Sequence, residues 1–269
     1  MNGRRRVAVV GHVEWVDFVP VASFPASGEV IHPTGAFAHA AGGGSVAAAV
    51  LAELGAEVDF FCALGDDKLG QAAAAELGER GINLQVAWRA QPTRRALTLL
   101  EPGGERTIVT IGERLQPRGA DELDWERLRG ADGVYVTAGD AEALRRARAA
   151  RVVVLSPRAK SALEAEGTEF DAIVFSAGDA DERDWAARVA DRARLFVATE
   201  GSRGGRWAGE CEGRWAAVAP PGETRDAYGC GDSFAAGFTF GLAGGSSVPD
   251  AAALGARRGA LCLTRAGAP

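Results

Sequence analysis

The sequence predicts an α/β fold: a mostly parallel sheet with helices on both faces and a smaller sheet beside it. Three observations carry this. From about residue 130, short apolar runs alternate with helical patterns at the spacing of strand–helix–strand units. Two earlier helical stretches stop at a glycine, the residue that best closes a helix in a left-handed conformation. Two extended segments, 13–35 and 93–111, interrupt the alternation and are expected to form a small antiparallel sheet apart from the main one.

Taken in order, Arg6–Val10 is β-branched and apolar and ends at Gly11, as a buried first strand does. Val13–Val21 is a second extended stretch, broken at Pro20 and followed by Pro25. Ala41–Ser45 is a glycine turn leading into an Ala-rich helix, Val46–Leu54, which Gly55 stops. Val58–Leu64 is the next buried strand, and Leu69–Arg80 a helix ended by Gly81. Arg95–Leu100 and Thr107–Ile111 flank Pro102-Gly103-Gly104, a hairpin signal. Strands at Gly133–Val136, Val152–Leu155, Ala172–Phe175 and Leu195–Thr199 then alternate with helices at Ala141–Ala150, Ala159–Glu166 and Glu182–Arg194. No repeat or linker divides the chain, so residues 1–269 are expected to form one domain.

Composition narrows the function. The chain carries 36 acidic against 30 basic side chains, a net charge of -6, with 47% apolar residues. These are the proportions of a globular domain, and they disfavour nucleic-acid binding by bulk charge. All basic residues but Lys68 and Lys160 are arginine, which with the abundant Ala and Gly reads as codon bias. Cys62, Cys211, Cys230 and Cys262 form no CxxC pair and no zinc spacing, so a reducing cytoplasm is expected. His12, His32 and His39 show neither metal nor triad spacing. Arg4–Val10 begins like a signal peptide but breaks at Gly11-His12, and Gly35–Ala52 is too rich in Gly and Ala to suggest a membrane span.

The segment Asp226-Ala227-Tyr228-Gly229-Cys230-Gly231-Asp232-Ser233-Phe234 carries the strongest chemical signal. Two glycines flank a small residue where a helix begins, which lets backbone N–H groups approach an anion closely. An acid follows in the first turn, where complementing the helix dipole is its bland alternative.

This segment resembles the DTxGAGDxF signature of the ribokinase-like (PfkB) carbohydrate kinases. Other segments are similar to the family in the same order. They are Pro25 with Gly28-Glu29, Gly42-Gly43-Gly44 before Leu54-Gly55, Leu64–Gly70, Gly104-Glu105-Arg106-Thr107, and Thr199–Gly204 as a T-x-G-x-x-G loop. The resemblance implies a Rossmann-like, doubly wound, mostly parallel sheet with a small β-sheet lid from about 13–35 and 93–111. It implies ATP-dependent phosphorylation of a hydroxyl on a small sugar or sugar-like molecule. Asp232 falls on the catalytic base, and Gly229, Cys230 and Gly231 on the anion hole. Thr199, Gly201 and Gly204 fall on the nucleotide loop. Asp226 falls where some relatives bind a monovalent cation; capping the next turn is its other role.

Departures from the family pattern concern the acceptor and the metal. Val46 stands where an asparagine usually binds sugar hydroxyls, beside Gly42 and Gly43. Near the first strand Glu14 becomes the first substrate-facing acid and Asp17 the second, although strand alternation admits only one to the pocket. The magnesium-linked N-x-x-E motif lacks its asparagine. Asp181 is taken as the counterpart of its Glu, with Glu182 and Asp179 as alternatives, acting on Mg²⁺ through water. Cys230 replaces an alanine, either as a tolerated small residue or as a thiol activated by the helix terminus. The family's lids often clasp a second copy, so a homodimer is expected, with no nucleic-acid or membrane partner. Three rivals stand beside this expectation. One is a nucleoside or other non-sugar alcohol kinase of the same fold. Another is a catalytically weak nucleotide or sugar sensor. The third is a dinucleotide-binding oxidoreductase, suggested by Gly42–Gly44 but lacking G-x-G-x-x-G after the first strand.

Overall fold

The computed structural model describes residues 4–33, 35–102, 104–267 and 269, so Gly103 of the expected hairpin turn lies outside the described residues. In chain order the strands are β1 (Arg6–Val10), β2 (Glu14–Pro20), β3 (Phe37–Ala41), β4 (Glu57–Gly65), β5 (Asn83–Arg89), β6 (Arg95–Leu100), β7 (Arg106–Ile111), β8 (Gly133–Val136), β9 (Val153–Leu155), β10 (Phe170–Ser176), β11 (Ala193–Thr199), β12 (Gly205–Gly209) and β13 (Gly213–Trp215). The helices are α1 (Gly43–Glu53), α2 (Lys68–Glu79), α3 (Ala141–Ala147), α4 (Ala180–Arg188), α5 (Cys230–Ala243) and α6 (Val248–Cys262).

The main sheet has the order β13-β12-β11-β10-β9-β8-β1-β4-β5. It is parallel from β11 to β5, and the β12–β13 hairpin closes one edge antiparallel. Strand alternation feeds two cores. Val7 and Val9 of β1 face one, shared with α1, α2, α5 and α6, and Ala8 and Val10 face the other, shared with α3 and α4. From β1 the chain builds outward to β4 and β5, then returns to β8 on the other side of β1. That reversal opens a crevice at the carboxyl ends of β1 and β8, the usual ligand position in such sheets.

The small sheet has the order β3-β2-β6-β7. Two of its pairings are antiparallel, but the central one, β2 with β6, is parallel. The 13–35 segment contributes only β2 to it, and β3 comes from residues beyond that segment.

Other boundaries shift for physical reasons. The expected helix at Ala159–Glu166 is a single 3-10 turn over Lys160–Leu163, with Gly167, at φ 72°, following it. The expected helix through Arg194 stops at Arg188. Beyond it Leu195 and Val197 pack into one core and Phe196 into the other, a period-two demand met by strand β11. Helix α1 starts inside the glycine run rather than after it. The Gly35–Ala52 stretch supplies β3 and most of α1. Among the described residues no helix is long and apolar enough to cross a membrane.

Candidate active site

Helix α5 begins at the crevice. Gly229, at φ 74°, is its N-cap in the left-handed region that favours glycine. The Ser233 N–H donates to the Gly229 carbonyl at 2.8 Å, and the Cys230 N–H to that of Ala227 at 3.4 Å. The N–H groups of Gly231 and Asp232 have no partner among the described residues, as expected for a first turn. A side-chain carbon at Gly231 would meet only open space.

The Asp232 carboxylate is fixed on one side. The Tyr135 hydroxyl, from β8, donates to its Oδ1 at 3.0 Å. Burial and the charge of Asp232 hold the Tyr135 hydroxyl far above its ordinary range, so it remains a donor. Oδ2 is left for another partner. Opposite stands the start of α1, where a Cβ on Gly43 would lie 2.7 Å from Asp232 Oδ1. Gly42, at φ 89°, donates its N–H to the Tyr228 hydroxyl at 3.0 Å and lies against His12. These glycines bring two helix starts and the end of β1 together.

His12 follows β1 and is buried. Arg114 Nη2 lies 2.6 Å from its Nδ1, and Glu14 Oε1 lies 3.7 Å from its Nε2. Burial, then the charges of Arg114, Arg158 and Arg94, push the imidazole well below its usual value and keep it neutral. Glu14 is only 7% exposed and pairs with Arg94 at 3.3 Å. Burial raises its pKa against the pull of Arg94. Asp17 lies on the other face of β2 and pairs with Arg95 at 3.0 Å. Alternation therefore admits Glu14 alone.

Further along the crevice, Glu182 accepts the Ser176 N–H at 2.8 Å at the end of β10 and lies 3.8 Å from Arg158 Nη2. Burial raises its pKa, opposed by that N–H and by Arg158. Asp181 is exposed, so Glu182, not Asp181, is the acid this turn aims inward. Asp179 caps α4. The Thr199 carbonyl accepts the Ala177 N–H at 2.9 Å, setting the loop with Gly201 (φ 59°) and Gly204 (φ 85°) beside the Glu182 turn.

Three expected residues take other places. Val46 packs with Val16, Phe18 and Tyr228 and is 1% exposed, so it presents no surface to a ligand. Asp226 is buried, its Oδ1 accepting the Tyr228 N–H and its Oδ2 the Gly267 N–H, both at 2.7 Å. The Cys230 thiol is pushed up by its contact with the Cys262 thiol and by burial, the opposite of activation by a helix terminus. Sequence patterns had missed Tyr135, Arg94, Arg114 and Arg158, and had singled out His12 only to find no motif for it.

With this geometry in place, comparison with known proteins is decisive. The model of the pfkB family of carbohydrate kinases matches residues 4–154 and 160–269, and the chain belongs to that family. It is accordingly an ATP-dependent phosphotransferase for a sugar-type alcohol. The acarbose 7(IV)-phosphotransferase of Actinoplanes sp. is 31% identical over 238 residues, 76% of this chain and 75% of that protein. The ATP-dependent ribose-1-phosphate kinase of Halopiger xanaduensis is 30% identical over 141 residues, 49% of this chain and 45% of that one. Arabidopsis thaliana ribokinase, solved with ribose and ATP, superposes with a TM-score of 0.77 at 20% identity, covering 99% of this chain and 95% of that one.

Proposed function

We propose that the chain passes the γ-phosphoryl group of ATP to a hydroxyl of a small sugar-like acceptor, with Asp232 as base. The observation behind this is the Asp232 carboxylate at the head of α5. One oxygen is held by Tyr135, the other is unclaimed, and the neighbouring N–H groups of Gly231 and Asp232 lack acceptors. Those N–H groups would meet charge growing on the transferred phosphoryl oxygens without rearranging. The Cys230 N–H, already turned to Ala227, contributes less. In a loose transition state the acceptor proton leaves late, so the position of Asp232 matters more than its basicity.

Thr199, Gly201 and Gly204 line the nucleotide in this proposal, and Gly42, Gly43 and Glu14 face the acceptor. The donor set fits Mg²⁺ held through water: no group of three or more His, Cys, Asp or Glu is gathered among the described residues, while Glu182 faces the crevice. When bound, the ion neutralises charge on the triphosphate. Asp226 is read here as the tie that fixes Tyr228 and Gly267, and a requirement for K⁺ would add a cation to its role.

The small sheet acts as a lid within one kinase domain over 1–269. Its edge strand β7 exposes Ile108, Val109 and Ile111, an apolar edge suited to pairing with a second copy. Four unpaired cysteines fit a cytoplasmic setting. The test is ADP release with Mg-ATP across pentoses, hexoses, sugar acids, sugar phosphates and nucleosides, with Asp232→Asn in parallel. Acceptor-dependent release that the variant loses while still binding ATP supports the proposal. Equal release by the variant overturns it.

A further inference from the structure

We infer that the acceptor side of this site is built for an anionic sugar, whose carboxylate or phosphate is held by the guanidinium groups of Arg114 and Arg94. The location of the acceptor rests on the kinase function proposed above; the charge chemistry stands on the residues themselves.

The roots of the small sheet meet the main sheet at this point. Glu14 opens β2, Arg94 immediately precedes β6, and Arg114 follows β7. Arg94 and Glu14 neutralise each other at 3.3 Å. Arg114 has no such partner among the described residues. Its Nη2 donates to His12 Nδ1 at 2.6 Å and to the Thr137 carbonyl at 2.9 Å, and its Nη1 to the Arg158 carbonyl at 3.0 Å, all neutral acceptors. Its Nε is buried and has no partner among the described residues. Burial, then the charge of Arg158, with Arg94 adding to it, pulls Arg114 down to about 10. Glu14 and Asp232 oppose that lowering, and after burial the charges of Arg114, Arg158 and Arg94 depress His12.

Phosphates of ATP do not account for this charge. Arg158 stands with Asp232 and Glu182, on the phosphoryl side. Arg94 and Arg114 stand with His12 and Glu14, which reach Asp232 through the Gly42–Gly43 turn, the side left for the acceptor. Hydroxyls of a neutral sugar can accept from Arg114 but cannot cancel its charge, whereas a carboxylate or phosphate can. Two guanidinium charges against one carboxylate, Glu14, leave one positive charge. That balance favours a single carboxylate; a phosphate dianion would also have to draw in Arg158.

The test uses matched acceptors: glucose, gluconate and glucose 6-phosphate, with ribose, ribonate and ribose 5-phosphate as the pentose set. Initial rates of ADP release are measured with Mg-ATP, and binding is measured by calorimetry in the presence of a magnesium complex of a non-hydrolysable ATP analogue. An anionic member is expected to exceed its neutral parent in kcat/KM by about 100-fold, the scale of a desolvated charge pair. Arg114→Gln is expected to raise the KM for that anion at least about tenfold while leaving the KM for ATP within about twofold, with Arg114→Lys recovering part of the loss. Preference for the acid over the phosphate identifies the source of the anion. Turnover of neutral sugars as good as or better than their anionic partners overturns the inference and leaves the kinase function standing. Selective, Arg114-dependent binding of an anion without turnover does the reverse. Failure of every anionic member to bind, or an equal rise in the KM for ATP in the variants, also overturns it.

Discussion

A single methyl group at Gly43 should separate catalysis from stability. Gly43 is the first residue of α1 and its φ is not positive, so alanine can adopt its backbone. The added carbon would lie 2.7 Å from Asp232 Oδ1 and 3.1 Å from its Cγ and Oδ2, where ordinary contact starts at 3.4 Å. Relief requires about 0.7 Å of movement by the carboxylate or the helix, since overpacked side chains yield by such shifts. Overpacking costs roughly 1–3 kcal/mol and the better helix former returns about 1 kcal/mol, so net destabilisation should stay within about 2 kcal/mol. Catalysis is less forgiving, because a misplacement approaching 1 Å costs up to about 100-fold. Gly43→Ala should therefore lose about 10- to 100-fold in kcat by coupled ADP assay, with a melting temperature close to wild type. A kcat within about threefold of wild type, in a variant that melts normally, would refute the claim that the α1 start sets the position of Asp232.

Tyr135→Phe removes the hydrogen bond from Tyr135 to the Asp232 carboxylate, so kcat should fall by about 10- to 100-fold, matching the roughly 1.5–3 kcal/mol of a bond to a charged group. Unchanged kcat would leave Tyr135 a packing residue. Asp226→Ala strands the Tyr228 and Gly267 N–H groups and should destabilise the fold by about 2–4 kcal/mol in denaturant titration. His12 has a folded pKa below the ordinary imidazole value of 6.5. Below that value the unfolded chain binds the additional proton, so His12 contributes stability present above pH 6.5 and lost as the pH falls through the window down to the folded value. His12→Asn should flatten the fall in melting temperature between about pH 7 and pH 5, and an unchanged slope would place the acid sensitivity elsewhere.

The main sheet was readable because its strands are apolar runs bounded by glycine or by helix, a signal within a few residues. Residues 95–100 and 133–136 form strands with the bounds their patterns predict. Strands β3 and β5 escaped notice because their alternation is diluted: β3 is Phe-Ala-His-Ala-Ala, and β5 mixes Asn and Gln with its apolar residues. The glycines and Asp232 that open α5 were legible because a local turn at a helix start demands them. Alternation admits only one of Glu14 and Asp17, and the count from Gly11 against the family pattern put Glu14 first. Tyr135 and Arg114 were not legible, since they meet Asp232 and His12 across 97 and 102 residues and nothing near them in the chain marks the contact. Asp181 was preferred to Glu182 on motif spacing, yet the capped start of α4 turns Glu182 inward.

The tie between Asp226 and Gly267 bears on the order in which the molecule assembles. Gly267 is wedged against Phe18, Phe37 and His39 of the small sheet while its N–H anchors the segment that leads into α5. Residues more than two hundred positions apart in the chain therefore meet where the segment leading into α5 is fixed. Contacts of such long range form late, after chain-closure entropy has been overcome. The turn proposed to bind phosphate is thus tied, through residue 267, to the small sheet that roofs the site.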